Sequence, residues 1–233
     1  MNKIIFIPTT KNIELLVPPP KPAKNYIPQW YKNIEAVHIK NIKVSEGGSS
    51  NTNVKNCIPF LDGLTSGYIQ ETWTDIHIKN NGDSVNYNFS DFNSPEMMNH
   101  RPQQSITVGP EYHQSEFVWK QVWIPKLPNG YSYIFTHPLN RIDLPFTTTS
   151  AIVDADKLNY SISGNVPFYL KKDFEGIIPA GTPMYQMIPF RREPWSMELE
   201  EYNKDSISKG ISGLRKNFIG SYKNRYWQKK EYN

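Results

Sequence analysis

The chain has 233 residues, 38% of them hydrophobic and 21% charged, with 19 Pro, 13 Gly and one cysteine, Cys57. A chain of this length buries a sizeable core, and a lone cysteine excludes an internal disulfide or an all-cysteine zinc site. Abundant proline disfavours long helices, because Pro lacks the amide hydrogen and crowds the preceding turn.

The net charge of +4 is unevenly placed. Residues 206–233 carry Lys209, Arg215, Lys216, Lys223, Arg225, Lys229 and Lys230 against the single acid Glu231, so the rest of the chain is close to neutral. A basic end of this kind is either a solvated tail or a surface for an acidic partner. The opening residues do not pair a basic segment with a long apolar run, so no signal peptide is expected. No stretch approaches the ~20 apolar residues of a spanning helix, so no membrane partner is expected either.

In chain order, residues 3–17 (KIIFIPTTKNIELLV) hold two short apolar runs that suit β-strands. The segment VPPPKPAKNYIPQWYKNI follows, and its consecutive prolines favour an extended arm without internal hydrogen bonds. Tyr26 and Trp30 would anchor this arm, either on the body or on a neighbouring subunit. Residues 45–53 (SEGGSSNTN) read as a polar loop. CIPFLDGLTSGYI shows no clear helical face and reads as a turn or 3₁₀ piece leading into a strand.

The stretch TWTDIHIKNNGDSVNYNFS predicts an antiparallel hairpin with Asn81-Gly82 as a two-residue turn. Ile78 would then face Val85, Ile76 would face Tyr87 and Thr74 would face Phe89 on one side, with Asp75 and His77 on the other. Residues 91–114 form a long polar stretch and a candidate functional loop. Beyond it, EFVWKQVWIP and YSYIFTHP read as a strand and its return, and LPFTTTSAIVDAD, VPFYL and PMYQMIPF each read as a further strand. Strands at this spacing, punctuated by Pro, Gly and Asn, point to a sandwich or barrel. At the end, Ile207, Ile211, Leu214, Phe218, Tyr222 and Tyr226 recur at helical spacing, with basic residues off the stripe. Gly210, Gly213 and Gly220 weaken such a helix, so it needs a partner surface.

Chemistry-bearing motifs are sparse. The five histidines (His38, His77, His100, His113 and His137) show neither HExxH nor HxD spacing, so no metal site is expected. No GxSxG elbow or phosphate-binding glycine motif occurs, and Cys57 has no local histidine. The aromatic residues interleaved in the basic tail follow the helical stripe rather than a base-stacking pattern, so nucleic acid is not the expected partner. The carboxylates of AIVDAD, Asp154 and Asp156, are spaced to point the same way, and they repel unless a cation, donor or solvent lies between them. Gln186 shares a strand face with Met184 and Ile188 and needs a hydrogen-bond partner there.

Val-Asp-Ala-Asp, followed by Ile-Pro-Ala-Gly-Thr and Gln186, resembles the later half of trimeric dUTPases and dCTP deaminases. That resemblance implies Asp154 as a pocket carboxylate and Gln186 as the motif glutamine, with Asp156 beside them and Arg191 or Arg192 at the phosphates of a small nucleotide. Lys157 stands where those families place an aromatic residue, and their opening and closing motifs are absent. More broadly, VPPPKPAKNYIPQWYK, CIPFLDGLTSGY, NGYSYIFTHPLNRIDLPF, IVDAD and IPAGTPMYQMIPFRREPW resemble an uncharacterised protein family of tailed phages, frequent in those of marine bacteria. This second resemblance implies a virion component or an accessory protein in the host cytoplasm.

The resulting expectation is a mainly β protein. Residues 1–44 form N-terminal strands and a proline-rich arm, residues 45–200 an antiparallel sandwich or barrel-like domain, and residues 201–233 a basic amphipathic helix or tail. It would act without enzymatic chemistry or a cofactor, through contacts in a homo-oligomer or with other phage proteins. Tyr26, Trp30, Phe218, Tyr222 and Tyr226 are the expected partner-binding residues. Nucleotide binding or hydrolysis of the dUTPase type is the alternative.

Overall fold

A computed structural model describes residues 2–35, 53–82, 84–101, 106–157, 164–215 and 221–233. The strands are β1 (Ile5–Pro8), β2 (Lys21–Pro22), β3 (Tyr68–Glu71), β4 (Ile76–Asn80), β5 (Val85–Phe89), β6 (Met98–Arg101) and β7 (Glu116–Gln121). They continue with β8 (Trp123–Lys126), β9 (Tyr131–Thr136), β10 (Phe146–Thr148), β11 (Ala151–Val153), β12 (Gly164–Leu170), β13 (Gly176–Ile178) and β14 (Pro183–Arg191). The α-helices are α1 (Lys11–Leu16), α2 (Gln29–Asn33), α3 (Ile58–Thr65), α4 (Lys204–Arg215) and α5 (Ser221–Arg225).

The protein is mainly β, in several antiparallel sheets that do not close into a barrel. Their strand orders are β11-β9-β14-β3-β2, β10-β12-β7-β6, β13-β4-β5 and β1-β8. The three larger sheets bury their inner faces in one shared core. Trp119 of β7 stacks on Phe168 of β12 at 3.7 Å and meets Phe146 of β10 edge-on at 5.2 Å. Tyr133 and Phe135 of β9, with Tyr185 and Met187 of β14, face the same interior. The opposite face of the five-stranded sheet carries a row in which Ile188, Ile134 and Ile152 lie side by side. Ile152 on the edge strand is exposed.

Several local expectations need correction. The second apolar run near the start is the helix α1, not a strand. Thr10 caps it by accepting the Ile13 amide, and Ile13 and Val17, four apart, are the buried positions, while Leu15 and Leu16 face solvent. CIPFLDGLT likewise forms a full helix, α3, which Pro59 tolerates because it falls in the first turn. The hairpin forms, but its register is shifted by two. Ile76 faces Phe89, Ile78 faces Tyr87 and Asn80 faces Val85, leaving a four-residue loop. Asn80 accepts the Gly82 amide with its own side chain, an Asx turn that widens the loop. A shift of two preserves every side chain's face, so the apolar side remains as expected.

The strand pairing also differs. YSYIFTHP does not return along the strand before it, since β9 pairs with β14 and β11, while β8 pairs with β1. LPFTTTSAIVDAD is two strands in two sheets, with β10 on β12 and β11 on β9, and the chain crosses between sheets at Thr149-Ser150. Within the expected loop at residues 91–114, Met98–Arg101 forms β6 against β7.

The proline-rich segment lies against the body. β2 pairs with β3, and the Ala23 amide donates to the Gly67 carbonyl at 2.9 Å. Residues 45–52 of the expected polar loop, His38 and Phe218 lie outside the described residues.

Candidate functional site

Strand register alone brings one polar cluster together. On β14 and β9, Arg191 pairs with Tyr131, so the next residue, Arg192, reaches Gly130, and its amide donates to the Gly130 carbonyl at 2.9 Å. On β11 and β9, Val153 pairs with Tyr133, which sets Asp154 near Ser132. Ala155 between the two aspartates is fully buried, and both carboxylates reach the same Arg192 guanidinium.

One cation of the chain, Arg192, serves both and balances part of their charge. The Arg192 guanidinium bonds Asp156 with two N–H groups and lies 3.1 Å from Asp154 Oδ1. Asp156 also accepts the Gly130 amide at 2.8 Å, and Asp154 accepts the Ser132 hydroxyl at 2.5 Å. The Asp156 side chain is only 2% exposed, against 61% for Asp154. Hydrogen bonds from Arg192, aided by the Gly130 amide and opposed by burial, hold the Asp156 carboxyl down to about 2.

Because this value lies below the ordinary aspartate pKa of an unfolded chain, the pair stabilises the fold fully above that ordinary value. The contribution is lost as pH falls through the folded value. Asp156→Asn should therefore melt below wild type by a constant margin above pH 5, with the gap closing between pH 4 and 2. A gap that persists unchanged at pH 2 would remove the ion pair as its cause.

Gln186 shares the outward face of the same sheet but lies two pairs beyond Ile188 from the aspartate end. The end-to-end separation from Phe190, opposite Ser132, is about 13 Å at the usual strand rise. All its polar atoms are engaged. Its amide donates to the Gly63 carbonyl at 3.0 Å and the Ser66 carbonyl at 2.6 Å, and its oxygen accepts the Leu139 amide at 2.7 Å. The expected hydrogen-bond partner is thus the C-terminal end of α3.

Gln186 and the aspartates do not meet in one pocket. Arg191 and Arg192 do line a shallow hollow, shared with Phe190, Glu193, Pro194 and Trp195. Arg191 also pairs with Glu193 at 3.2 Å.

The other expected groups have separate partners. Asp75 accepts the Ala180 amide at 2.7 Å, and His77 bonds the Ser90 hydroxyl at 2.7 Å. Cys57 is exposed. Among the described residues, no three His, Cys, Asp or Glu side chains converge to hold a metal ion, and no helix is long and apolar enough to cross a membrane. His113 is 5% exposed, and its Nε2 has no hydrogen-bond partner among the described residues. It lines a hollow of about 340 Å³ with Tyr112, Ser115 and Lys172.

The expected partner-binding aromatics divide into two groups. Tyr26 and Trp30 are engaged within the chain. The Tyr26 hydroxyl donates to Glu71 at 2.7 Å, its carbonyl accepts from Arg141, and Trp30 packs edge-on against Tyr31 and Phe60. Tyr222 and Tyr226 are exposed, with ring centroids 6.4 Å apart. They belong to an excursion of the chain, residues 193–226, that leaves β14 and later returns. Every residue from 191 to 212 is exposed. Trp195 is 89% exposed and Leu199 88%, with Met197 and Tyr202 nearly as bare.

The return is firmly docked. The Trp227 indole donates to the Asp62 carboxylate at 3.0 Å, Lys230 reaches the same carboxylate at 2.6 Å, and Tyr232 packs edge-on against Tyr68. Sequence reading expected one amphipathic helix here, where the described residues form two separate helices, α4 and α5, with exposed apolar residues, and it missed the bare segment before them. Its signal was there, in the period-2 recurrence of Trp195, Met197 and Leu199.

Set against known proteins, the chain matches no family model, and no curated protein matches it.

Proposed function

We propose that the chain is a structural or accessory protein of a tailed phage that works through protein–protein contacts in an oligomer, without catalysis. The observation that carries this reading is the excursion at residues 193–226. Soluble monomers rarely expose contiguous large apolar surface, yet Trp195, Met197 and Leu199 stand almost fully in water while both ends of the excursion are held to the body. An exposed apolar segment on a firmly packed β body suits a contact element. The resemblance to a tailed-phage family supplies the setting, a virion or an infected host cell. The carboxylates that nucleotide chemistry would require are both paired with Arg192, and Gln186 is spent on α3. These arrangements favour the contact reading over the nucleotide one.

Quantitative mass spectrometry of purified particles and of infected-cell lysate tests the reading, paired with a thermal-shift screen against nucleoside triphosphates. The expected result is a fixed copy number in particles, or co-purification with other phage proteins, and no nucleotide shift. A protein that is absent from particles, purifies alone and melts several degrees higher with one nucleotide would sink it.

A further inference from the structure

The excursion is divided by charge as well as by structure. Residues 193–205 carry Glu193, Glu198, Glu200, Glu201 and Asp205 against the single base Lys204, a net charge of −4. Residues 206–225 carry Lys209, Arg215, Lys216, Lys223 and Arg225 and no acid, a net charge of +5. Each half also bears its own exposed apolar residues. The acidic half has Trp195, Met197 and Leu199, interleaved with glutamates, and the basic half has Ile207 and Ile211 on α4 and Tyr222 on α5, with Tyr226 just past it.

Two surfaces of opposite charge, each with bare apolar groups, are thus present in one chain and both exposed at once. Among the described residues, the one ion pair that an acid of this half makes is that of Glu193 with Arg191, just outside it.

We propose that the excursion is a self-association element, in which the acidic half of one copy docks on the basic helices of a second copy and the reverse contact forms at the same time. A two-fold contact requires a surface that complements itself, and a chain segment with net charges of −4 and +5 on its successive halves provides one. Apolar contact between Trp195, Met197 and Leu199 of one copy and the Ile207, Ile211 and Tyr222 stripe of the other supplies affinity. The charges set orientation and discriminate against the parallel arrangement, which would oppose like charges. The proposal rests on the contact reading above and names its partner, a second copy of this chain.

The test uses the full-length chain and two variants, Glu198→Lys/Glu200→Lys/Glu201→Lys and Lys209→Glu/Lys223→Glu/Arg225→Glu, studied by sedimentation velocity across a range of concentrations. All six positions are solvent-facing, so circular dichroism and melting temperature should match wild type. The expected result is a wild-type dimer that weakens at 1 M salt. Each variant alone should self-associate at least tenfold more weakly, and an equimolar mixture of the two should recover dimer. Variants that dimerise like wild type, or a mixture that stays monomeric, would overturn the proposal while leaving the contact reading to the particle measurements. A wild-type chain monomeric at 100 µM would also overturn it, and only association with other phage proteins would then support the broader reading.

Discussion

Gln186→Leu should lower the stability of the fold by about 3–5 kcal/mol, seen as a lower urea midpoint with an unchanged slope. The change in size is small, so lost hydrogen bonds dominate. Helix α3 ends at Thr65, and the last carbonyls of any helix have no partner within it. The Gln186 amide satisfies the Gly63 and Ser66 carbonyls from the neighbouring sheet, and its oxygen satisfies the Leu139 amide. Gln186 is 1% exposed, so water cannot replace it. Each buried group left without a partner costs about 1–3 kcal/mol, partly offset by the apolar gain of leucine. If the variant instead melted like wild type, Gln186 would not be the tie between α3 and the sheet, and a role in ligand binding would return to consideration.

The second large effect is expected at Gly67, between α3 and β3. Gly67 sits at φ +71°, and a Cβ there would lie 2.1 Å from the Met187 carbonyl oxygen of β14. Gly67→Ala therefore combines a left-handed backbone cost of roughly 1–2 kcal/mol with overpacking of roughly 1–3 kcal/mol, for a total of about 3 kcal/mol. The obstructing atom is backbone in a central strand, so no rotamer change relieves it. Equilibrium denaturation checks the magnitude. Hydrogen exchange adds location, because protection should fall first along the β3–β14 ladder, where Met187 pairs with Tyr68. A uniform loss of protection with no excess at that ladder would count against the proposed clash.

These two positions also show how far the sequence could be read. Local chemistry was legible. The hairpin around Asn81-Gly82, though not its two-residue turn, the alternation of Ile76 and Ile78 and the strand in PMYQMIPF were each indicated correctly, since such signals act over a few residues. The need of Gln186 for a partner was equally plain, because an amide on an apolar face cannot remain unpaired. Its partner was not legible, because Gly63, Ser66 and Leu139 lie far from it in sequence and offer only backbone atoms, which carry no side-chain signature.

The same limit explains the aspartates. AIVDAD announces two carboxylates, but Arg192 reaches them only through the β14–β9–β11 register, which local pattern does not specify. The short helices were missed for another reason. In α1 and α3 one or two buried residues suffice to seat a helix of six or eight residues, too few to establish a period. Pairings such as β9 with β14 were missed because adjacency along the chain is a poor guide where strands cross between sheets.

Asp62 holds both the Trp227 indole and the Lys230 ammonium. The last seven residues are thereby riveted to the same body from which the excursion departs. A protease that cuts among the bare residues near Trp195 would therefore nick the molecule without releasing a piece, and the two fragments would travel as one until denatured. The excursion is accordingly a handle with two points of attachment. Because residues 191–212 are all exposed, the sheets owe none of their buried core to that stretch.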